Sequence, residues 1–282
     1  MPITVAYLGP AGTYTHEAMS SSAPDEEICP EPRSTVYETV MAVQEGATDR
    51  AVVPIENSLE GGVAATLDTL AGEADRVRIV AEVVHPIHHC LVAADDLPLD
   101  RIARVLSHPQ ATAQCARYLR EHLPRAERVA TTSTAEAVRT VRDAAGPWAA
   151  LASRLSAELY ECRVLAERVE DQPDNVTRFV WLGGEDAVRA EIDGAAKTSI
   201  VFWGFNDASP GALVSVLREL SDRSINLTKI ESRPRRGGLG SYMFFADLEG
   251  HDGEPNVREA LSALSERVET LRVLGSYPVA TG

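Results

Sequence analysis

Residues 51–62 read AVVPIENSLEGG. The apolar run Ala51–Ile55, rich in valine and isoleucine, predicts a strand. The polar trio Glu56-Asn57-Ser58 ends it. After Gly61-Gly62 a helix is expected, with Val63, Leu67 and Leu70 on one face. Strand, polar loop and amphipathic helix in succession form the repeat of an α/β domain with a mostly parallel sheet.

The same repeat extends in both directions. Upstream, Thr4–Leu8 predicts a strand that breaks at Gly9-Pro10-Ala11-Gly12. Val36, Val40 and Val43 fall on one helical face, with Gly46 as the stop. Downstream, Val83–Ala93 and Ile102–Leu106 read as strands. Ser107-His-Pro-Gln110 fits a capping box with proline in the first turn, opening a helix through Cys115 and Leu119. Ser133-Thr-Ala-Glu136 fits a second box, and Gly146-Pro147 closes its helix. Trp148–Ala152 predicts a buried strand, residues 153–160 a helix, and Phe179–Leu182 a last short strand.

Residues 184–197 are small and polar without a strong period, and read as a linker. Beyond them, Thr198–Phe205 predicts a strand. Ser209 is expected to cap a helix with Pro210 at its first position and Leu213, Val216, Leu217 and Leu220 as its apolar face. Ile225–Arg235 and Ser241–Leu248 predict strands joined by a turn at 236–240. A helix carrying Val257, Leu261, Leu264 and Val268 follows, then a strand at Leu271–Leu274. The order βαββαβ is the ferredoxin-like pattern.

The chain has 282 residues, 44% of them apolar and 24% charged, as in an ordinary folded protein. No apolar run exceeds five residues, far short of a membrane span, and the start MPITVAYLGP has neither a basic stretch nor a long apolar one, so no signal peptide is read and a cytoplasmic location is expected. A formal charge of −15 argues against nucleic acid, which wants a basic stripe. An anionic small molecule would need a local pocket working against the global field. The four cysteines (29, 90, 115 and 162) lack CxxC spacing and read as buried thiols.

Anion sites are expected where strands meet helix N-termini: Gly9–Thr15, Glu56–Gly62 and Ser107–Gln110, with Asn175-Val-Thr-Arg178-Phe179 beside them. His85-Pro-Ile-His88-His89-Cys90 invites a zinc reading, yet on a strand His88 and His89 point to opposite faces. They read as structural histidines, and neither metal nor other cofactor is expected. Gly9-Pro-Ala-Gly12 is neither a Walker loop nor GxGxxG, and no serine or cysteine sits on a GxSxG elbow.

Taken together, Ala6–His16, Val53–Gly61, Ser107–Ala111 and Thr177-Arg178-Phe179 resemble the prephenate dehydratase family. The C-terminal unit resembles the ACT domain that follows in that family. Gly211-Ala-Leu-Val214 and Glu231-Ser-Arg-Pro234 match its two effector motifs. The resemblance spans residues 3–277 and implies a catalytic domain at 1–183 of the two-lobed type II periplasmic-binding-protein kind, then an ACT domain at 198–277. Lobe one would be 1–80 plus 162–183, and lobe two 81–161. The expected form is monofunctional, without a preceding chorismate mutase bundle.

The implied activity is conversion of prephenate to phenylpyruvate in phenylalanine biosynthesis, with loss of water and carbon dioxide. Dehydration of arogenate and a non-catalytic amino-acid sensor are the alternatives. The resemblance makes Thr177 catalytic, its hydroxyl serving the leaving oxygen. A threonine is a very weak acid, so hydrogen-bond stabilisation of the leaving hydroxide, or relay through a neighbour, is preferred to full protonation. Arg178 would clamp a carboxylate with its two-pronged fork, or pair with Asp171 or Asp174 instead. Phe179 would pack against Thr177. Thr13, Asn57, Ser58, His108 and Gln110 would meet the substrate. Phenylalanine is the implied effector, met by Gly211, Ala212, Leu213, Val214, Asn226, Leu227, Glu231, Ser232, Arg233 and Pro234 across the interface of a homodimer or homotetramer.

Overall fold

The computed structural model describes residues 2–24, 27–187, 192, 194–205, 209–235 and 240–280. Parts of the expected linker and of the 236–240 turn therefore lie outside the described residues. The first part of the chain forms β1 (Ile3–Leu8), α1 (Tyr14–Ser21), β2 (Ile28–Arg33), α2 (Val36–Gln44), β3 (Arg50–Asn57), β4 (Gly61–Gly62), α3 (Ala64–Ala71) and β5 (Val77–Pro86). The middle forms β6 (Cys90–Ala93), β7 (Arg104–Ser107), α4 (Pro109–Gln114), α5 (Ala116–His122), β8 (Glu127–Ala130), α6 (Thr134–Asp143), β9 (Trp148–Ala152), α7 (Arg154–Leu159), β10 (Arg163–Ala166) and β11 (Val176–Gly184). The rest forms β12 (Ala196–Trp203), α8 (Ala212–Ser221), β13 (Leu227–Pro234), β14 (Tyr242–Glu249), α9 (Pro255–Arg267) and β15 (Thr270–Pro278).

The chain divides into two compact units, one of residues 1–39, 52–61 and 84–179, the other of 40–51, 62–83 and 180–282. In the first, β1 pairs parallel with β2, and a separate sheet runs β10-β6-β9-β7-β8. That sheet is buried on both faces. Cys90, Val92, Ala150 and Ala152 enter one core with Val138 and Val141 of α6, while Leu91, Ala149 and Leu151 enter another with Cys115 and Leu119. Alternate residues serve opposite cores, which is why 148–152 reads as an unbroken apolar run.

In the second unit, β12, α8, β13, β14, α9 and β15 realise the expected βαββαβ order, with the sheet β13-β14-β12-β15. Ile200, Phe202, Val216, Leu220, Leu248 and Leu264 are its buried core.

Several expectations need correction. The predicted strand Val83–Ala93 is two strands, because Pro86 has no N–H to continue a ladder and the next backbone groups are paired elsewhere. Ile87 N donates to Asn175 O at 2.8 Å, and His89 N donates to the Glu170 carboxylate at 2.9 Å. Ser107 is not a helix cap: its hydroxyl donates to Leu151 O at 2.7 Å. His108 caps instead, its Nδ1 accepting from Gln110 N, and the helix breaks at Cys115 into α4 and α5. Ser209 does not cap α8 either. Its carbonyl closes a turn onto Ala212 N, and Gly211 is the cap, at the left-handed φ of +82° that glycine adopts without strain.

β2, β8 and β10, unforeseen in the sequence, are all short edge strands, and none of their residues is buried. Residues 163–166, expected in lobe one, pair antiparallel with β6 as β10. Cys29 is exposed, unlike the buried Cys90 and Cys115.

Candidate active site

The C-terminal end of β3 and the start of β11 run two residues beyond and three residues before the expected strands. That extension turns the motif residues Asn57 and Thr177 into neighbouring strand residues, both buried. Asn57 Oδ1 accepts from the backbone N–H of Leu59 and of Glu60, at 3.0 and 3.2 Å. An amide held by its oxygen must donate with its nitrogen. Asn57 Nδ2 accordingly donates to Thr177 Oγ1 at 2.9 Å, to Asn175 Oδ1 at 2.8 Å and to Val176 O at 3.2 Å. The Thr177 oxygen is thus an acceptor toward Asn57, and its own proton is free to point away.

Ser58 pairs with the same segment. Its N–H donates to Val176 O at 2.9 Å, and its Oγ accepts from Val176 N at 3.1 Å. Arg178 is buried with its guanidinium 3.0 Å from Glu56, not from Asp171 or Asp174, so the positive charge stays next to the Asn57 loop. Phe179 is buried and meets His85 edge-on, a packing role.

Other expected site residues lie in different bonding environments. Thr13 caps α1 and donates its proton to Leu8 O at 2.8 Å. Gly12 N donates to His16 Nδ1, while Ser153 and Ser156 both donate to Gly12 O, so that loop is locked by its neighbours. His108 and Gln110 form the first turn of α4, and among the described residues no hydrogen bond joins them to Asn57 or Thr177. The α4 residue that does join the cluster is Gln114, whose Oε1 accepts from Asn175 Nδ2 at 3.3 Å. Gln114 lies four residues past Gln110, one turn along the same helical face, which was the available signal. Asn175 was legible only as part of its segment.

The three histidines of residues 85–89 are each placed by polar partners. His85 pairs with Glu17 at 3.1 Å, and His88 Nδ1 with the buried Glu170 at 2.8 Å. His89 is buried, with Nε2 2.9 Å from Gln114 Oε1 and Nδ1 2.7 Å from the Tyr14 hydroxyl. Burial pushes the His89 pKa down, against smaller opposing effects of its bond to Gln114 and the nearby Glu170. Tyr14 is raised well above the ordinary phenol, also by burial. Among the described residues no group of three or more His, Cys, Asp and Glu side chains is arranged to hold a metal ion, and no helix is long and apolar enough to cross a membrane.

In the second unit the expected effector residues do not converge. Ala212 and Leu213 pack against the core, whereas Val214 is exposed. Asn226 donates to Glu249 at 2.9 Å, and Leu227 packs on the core. Glu231 lies 3.3 Å from Lys229, and Arg233 grips both oxygens of Asp68 on α3, at 2.6 and 2.8 Å. Ser232 sits between them in register with Phe244, and Pro234 ends β13.

Comparison with known proteins is consistent across sequence and structure. The family model described as prephenate dehydratase matches residues 5–187, and that of the ACT domain matches 206–266. A prephenate dehydratase of Amycolatopsis methanolica is 41% identical over 281 residues, covering 99% of this chain and 89% of the relative. The crystal structure of prephenate dehydratase from Arthrobacter aurescens in complex with L-Phe superposes with a TM-score of 0.90 at 38% identity, over 99% of this chain and 90% of the other. A structure described as GqqA, a novel type of quorum quenching acylase, gives 0.85 at 32% identity, over 99% and 98%.

Proposed function

The chain belongs to the prephenate dehydratase family, and we propose that the Asn57–Thr177 cluster of its first unit is where that family's reaction takes place. The activity is a hydro-lyase one: prephenate loses its ring hydroxyl and its ring carboxylate, giving phenylpyruvate, water and carbon dioxide, with an ACT domain as regulator.

The observation that carries the assignment of roles is the polarity of the Asn57 amide. Its oxygen is held by two backbone N–H groups, so its nitrogen faces Thr177 and turns the threonine proton outward. Aromatisation drives loss of the carboxylate, and the leaving oxygen needs a donor placed in advance rather than a strong acid. Thr177 supplies that donor, and one such positioned hydrogen bond is worth about 10²–10³ in rate. Arg178, steadied by Glu56, draws a substrate carboxylate to the site. Ser58 and the amide of Gln114 complete the polar wall. Thr13 and His108 shape it through the helices they cap, Gln110 from the first turn of α4, and Phe179 fixes the strand beneath Thr177.

The acyl transfer named for the GqqA structure calls for a nucleophile beside a base. Here the partner of the Thr177 oxygen is an amide nitrogen, which cannot take its proton.

For the second unit we propose phenylalanine as effector. The Arthrobacter aurescens relative was solved with L-Phe. The effector motifs of this chain lie apart within one copy, which favours a site completed by a second copy in a homodimer or homotetramer. We further propose a cytoplasmic enzyme with its catalytic domain at 1–183 and its ACT domain at 198–277.

The test is phenylpyruvate formation from prephenate by the purified protein, with and without phenylalanine, and with arogenate in parallel. Turnover of prephenate that phenylalanine modulates is expected. Preference for arogenate would change the substrate, and no turnover of either by folded protein would leave a binding role.

A further inference from the structure

Tyr14, His89, Gln114, Asn175, Asn57 and Thr177 form one line of hydrogen bonds, part-buried from Tyr14 to Gln114 and buried from Asn175 to Thr177, and its direction can be worked out from a single fixed point. That point is the backbone turn that holds Asn57 Oδ1. Asn57 must then donate to Asn175 Oδ1, so Asn175 Nδ2 faces Gln114. Gln114 must present its oxygen to Asn175, and the same oxygen lies 2.9 Å from His89 Nε2. An amide oxygen only accepts, so Nε2 carries a proton. In the neutral ring Nδ1 is then bare, and it lies 2.7 Å from the Tyr14 hydroxyl, its donor. The phenol also lies 2.9 Å from His88 O, so its one proton is shared between two acceptors. No link in the line sets oxygen against oxygen without a proton between them.

We infer that His89 is a positioning residue for the reaction: as the Nε2-protonated neutral tautomer, set by Tyr14, it holds the amides of Gln114 and Asn175 in the orientation that leaves the Thr177 proton facing the substrate. The inference deepens the function proposed above and rests on it. Three amides in series are symmetric in shape, and only their partners decide which end is oxygen. At one end the backbone decides. At the other the decision belongs to His89, which sits in the gap between β5 and β6 where Pro86 ends the ladder and the buried Glu170 carboxylate holds the His89 backbone N–H. Reversing one amide would bring two acceptors together inside the protein, where an unmade hydrogen bond is costly. With its oxygen held by His89 and Asn175, Gln114 has its two amide protons left to meet a ligand.

Two substitutions separate this role from packing. His89→Gln keeps a donor near the Nε2 position and loses the Nδ1 acceptor; His89→Asn keeps a polar atom near Nδ1 and loses the donor to Gln114. His89→Gln should retain kcat within about threefold of wild type, whereas His89→Asn should lose about tenfold, the size of one hydrogen bond in the reaction path. The loss should fall on kcat more than on KM, and both variants should melt at similar temperatures. Equal kcat in the two variants, high or low, overturns the inference. Nitrogen-15 NMR of histidine-labelled wild-type protein gives a second arm that needs no variant to fold. Nε2 should be the protonated nitrogen of His89, and Nδ1-protonated His89 overturns the inference. An inactive wild-type protein with the Nε2 tautomer in place would count against the proposed activity and leave the direction of the line standing.

Discussion

At the junction of β3 and β11 the motif residues bond one another. Asn57 reaches Asn175 and Thr177, and Ser58 reaches Val176. Along β13 the motif residues reach elsewhere. Arg233 grips Asp68 of α3, and Glu231 lies beside Lys229 and against Gly62, where an added Cβ would meet its carboxylate. The first region is closed: Asn57, Ser58 and Asn175 spend their hydrogen bonds on one another and on the backbone beside them. The second is open, with Val214 and Ile230 exposed and its charges tied to a segment before β5. A closed network can hold one proton in one direction. An open set of contacts can be exchanged for others when a ligand or a second copy arrives.

The contrast breaks most directly at Thr177. Thr177→Ala should fold, bind prephenate and lose about 10²–10³ in kcat, since it deletes the outward donor. Thr177→Ser should recover most of the loss. Near-wild-type kcat for the alanine variant, from steady-state phenylpyruvate assays, would mean that the closed network serves stability alone.

Asn57→Asp is a sharper probe with a smaller effect. The carboxylate can still accept from Leu59 N and Glu60 N, so the turn survives. It cannot donate to Thr177, whose hydroxyl would turn inward to donate to Asp instead. An activity loss of about ten- to a hundredfold is expected, with a lower melting temperature because the new carboxylate oxygen also faces Asn175 Oδ1 and Val176 O.

Acid should loosen the closed region first. His89 and His16 both have pKa values pulled down in the fold, mainly by burial. Each therefore binds its proton more readily when unfolded. Their stabilisation is complete above the ordinary histidine pKa near 6.5 and is lost as pH falls through the lower folded values. Denaturant unfolding between pH 7.5 and 5 should give a falling free energy, and His89→Gln should flatten the fall. An unchanged slope in that variant would deny His89 its part.

The smallest effect belongs to the open region. Arg233 and Asp68 remain partly exposed, at 21% and 34% of their side-chain surface, so solvent screens their pairing. A double-mutant cycle of Asp68→Asn and Arg233→Gln should give a coupling of about 0.5–1 kcal/mol in unfolding free energy. A Glu231→Ala variant should weaken the response to phenylalanine, read as the shift of its half-effect concentration. An unaltered response would move effector recognition off β13.

Much of the fold was legible because period and punctuation agree with it. Val36, Val40 and Val43 do lie on α2, Ser133 does cap α6 by accepting from Glu136 N, and 148–152 is a buried strand. The errors fall where a local signal had two outlets. Ser107 and Ser209 are good cap residues by type, yet the Ser107 hydroxyl found Leu151 O, and Gly211 supplied the left-handed turn that Ser209 could not. Edge strands such as β2 escaped because half their surface faces no core.

The site divides in the same way. Asn57, Ser58, Thr177 and Arg178 stand out by motif alone, and their chemistry follows from residue type. Tyr14, His89 and Asn175 lie in stretches that stand out and Gln114 does not, but the roles of all four arise from contacts between residues 14, 89, 114 and 175 that no local pattern encodes. The sequence by itself determined the α/β order, the βαββαβ unit and the family, since these rest on periodicity and on short motifs. Only the tertiary structure decided which way the Thr177 proton points. Hydrogen-bond direction is a property of the whole connected line, and it passes from one amide to the next only when folding has brought them together.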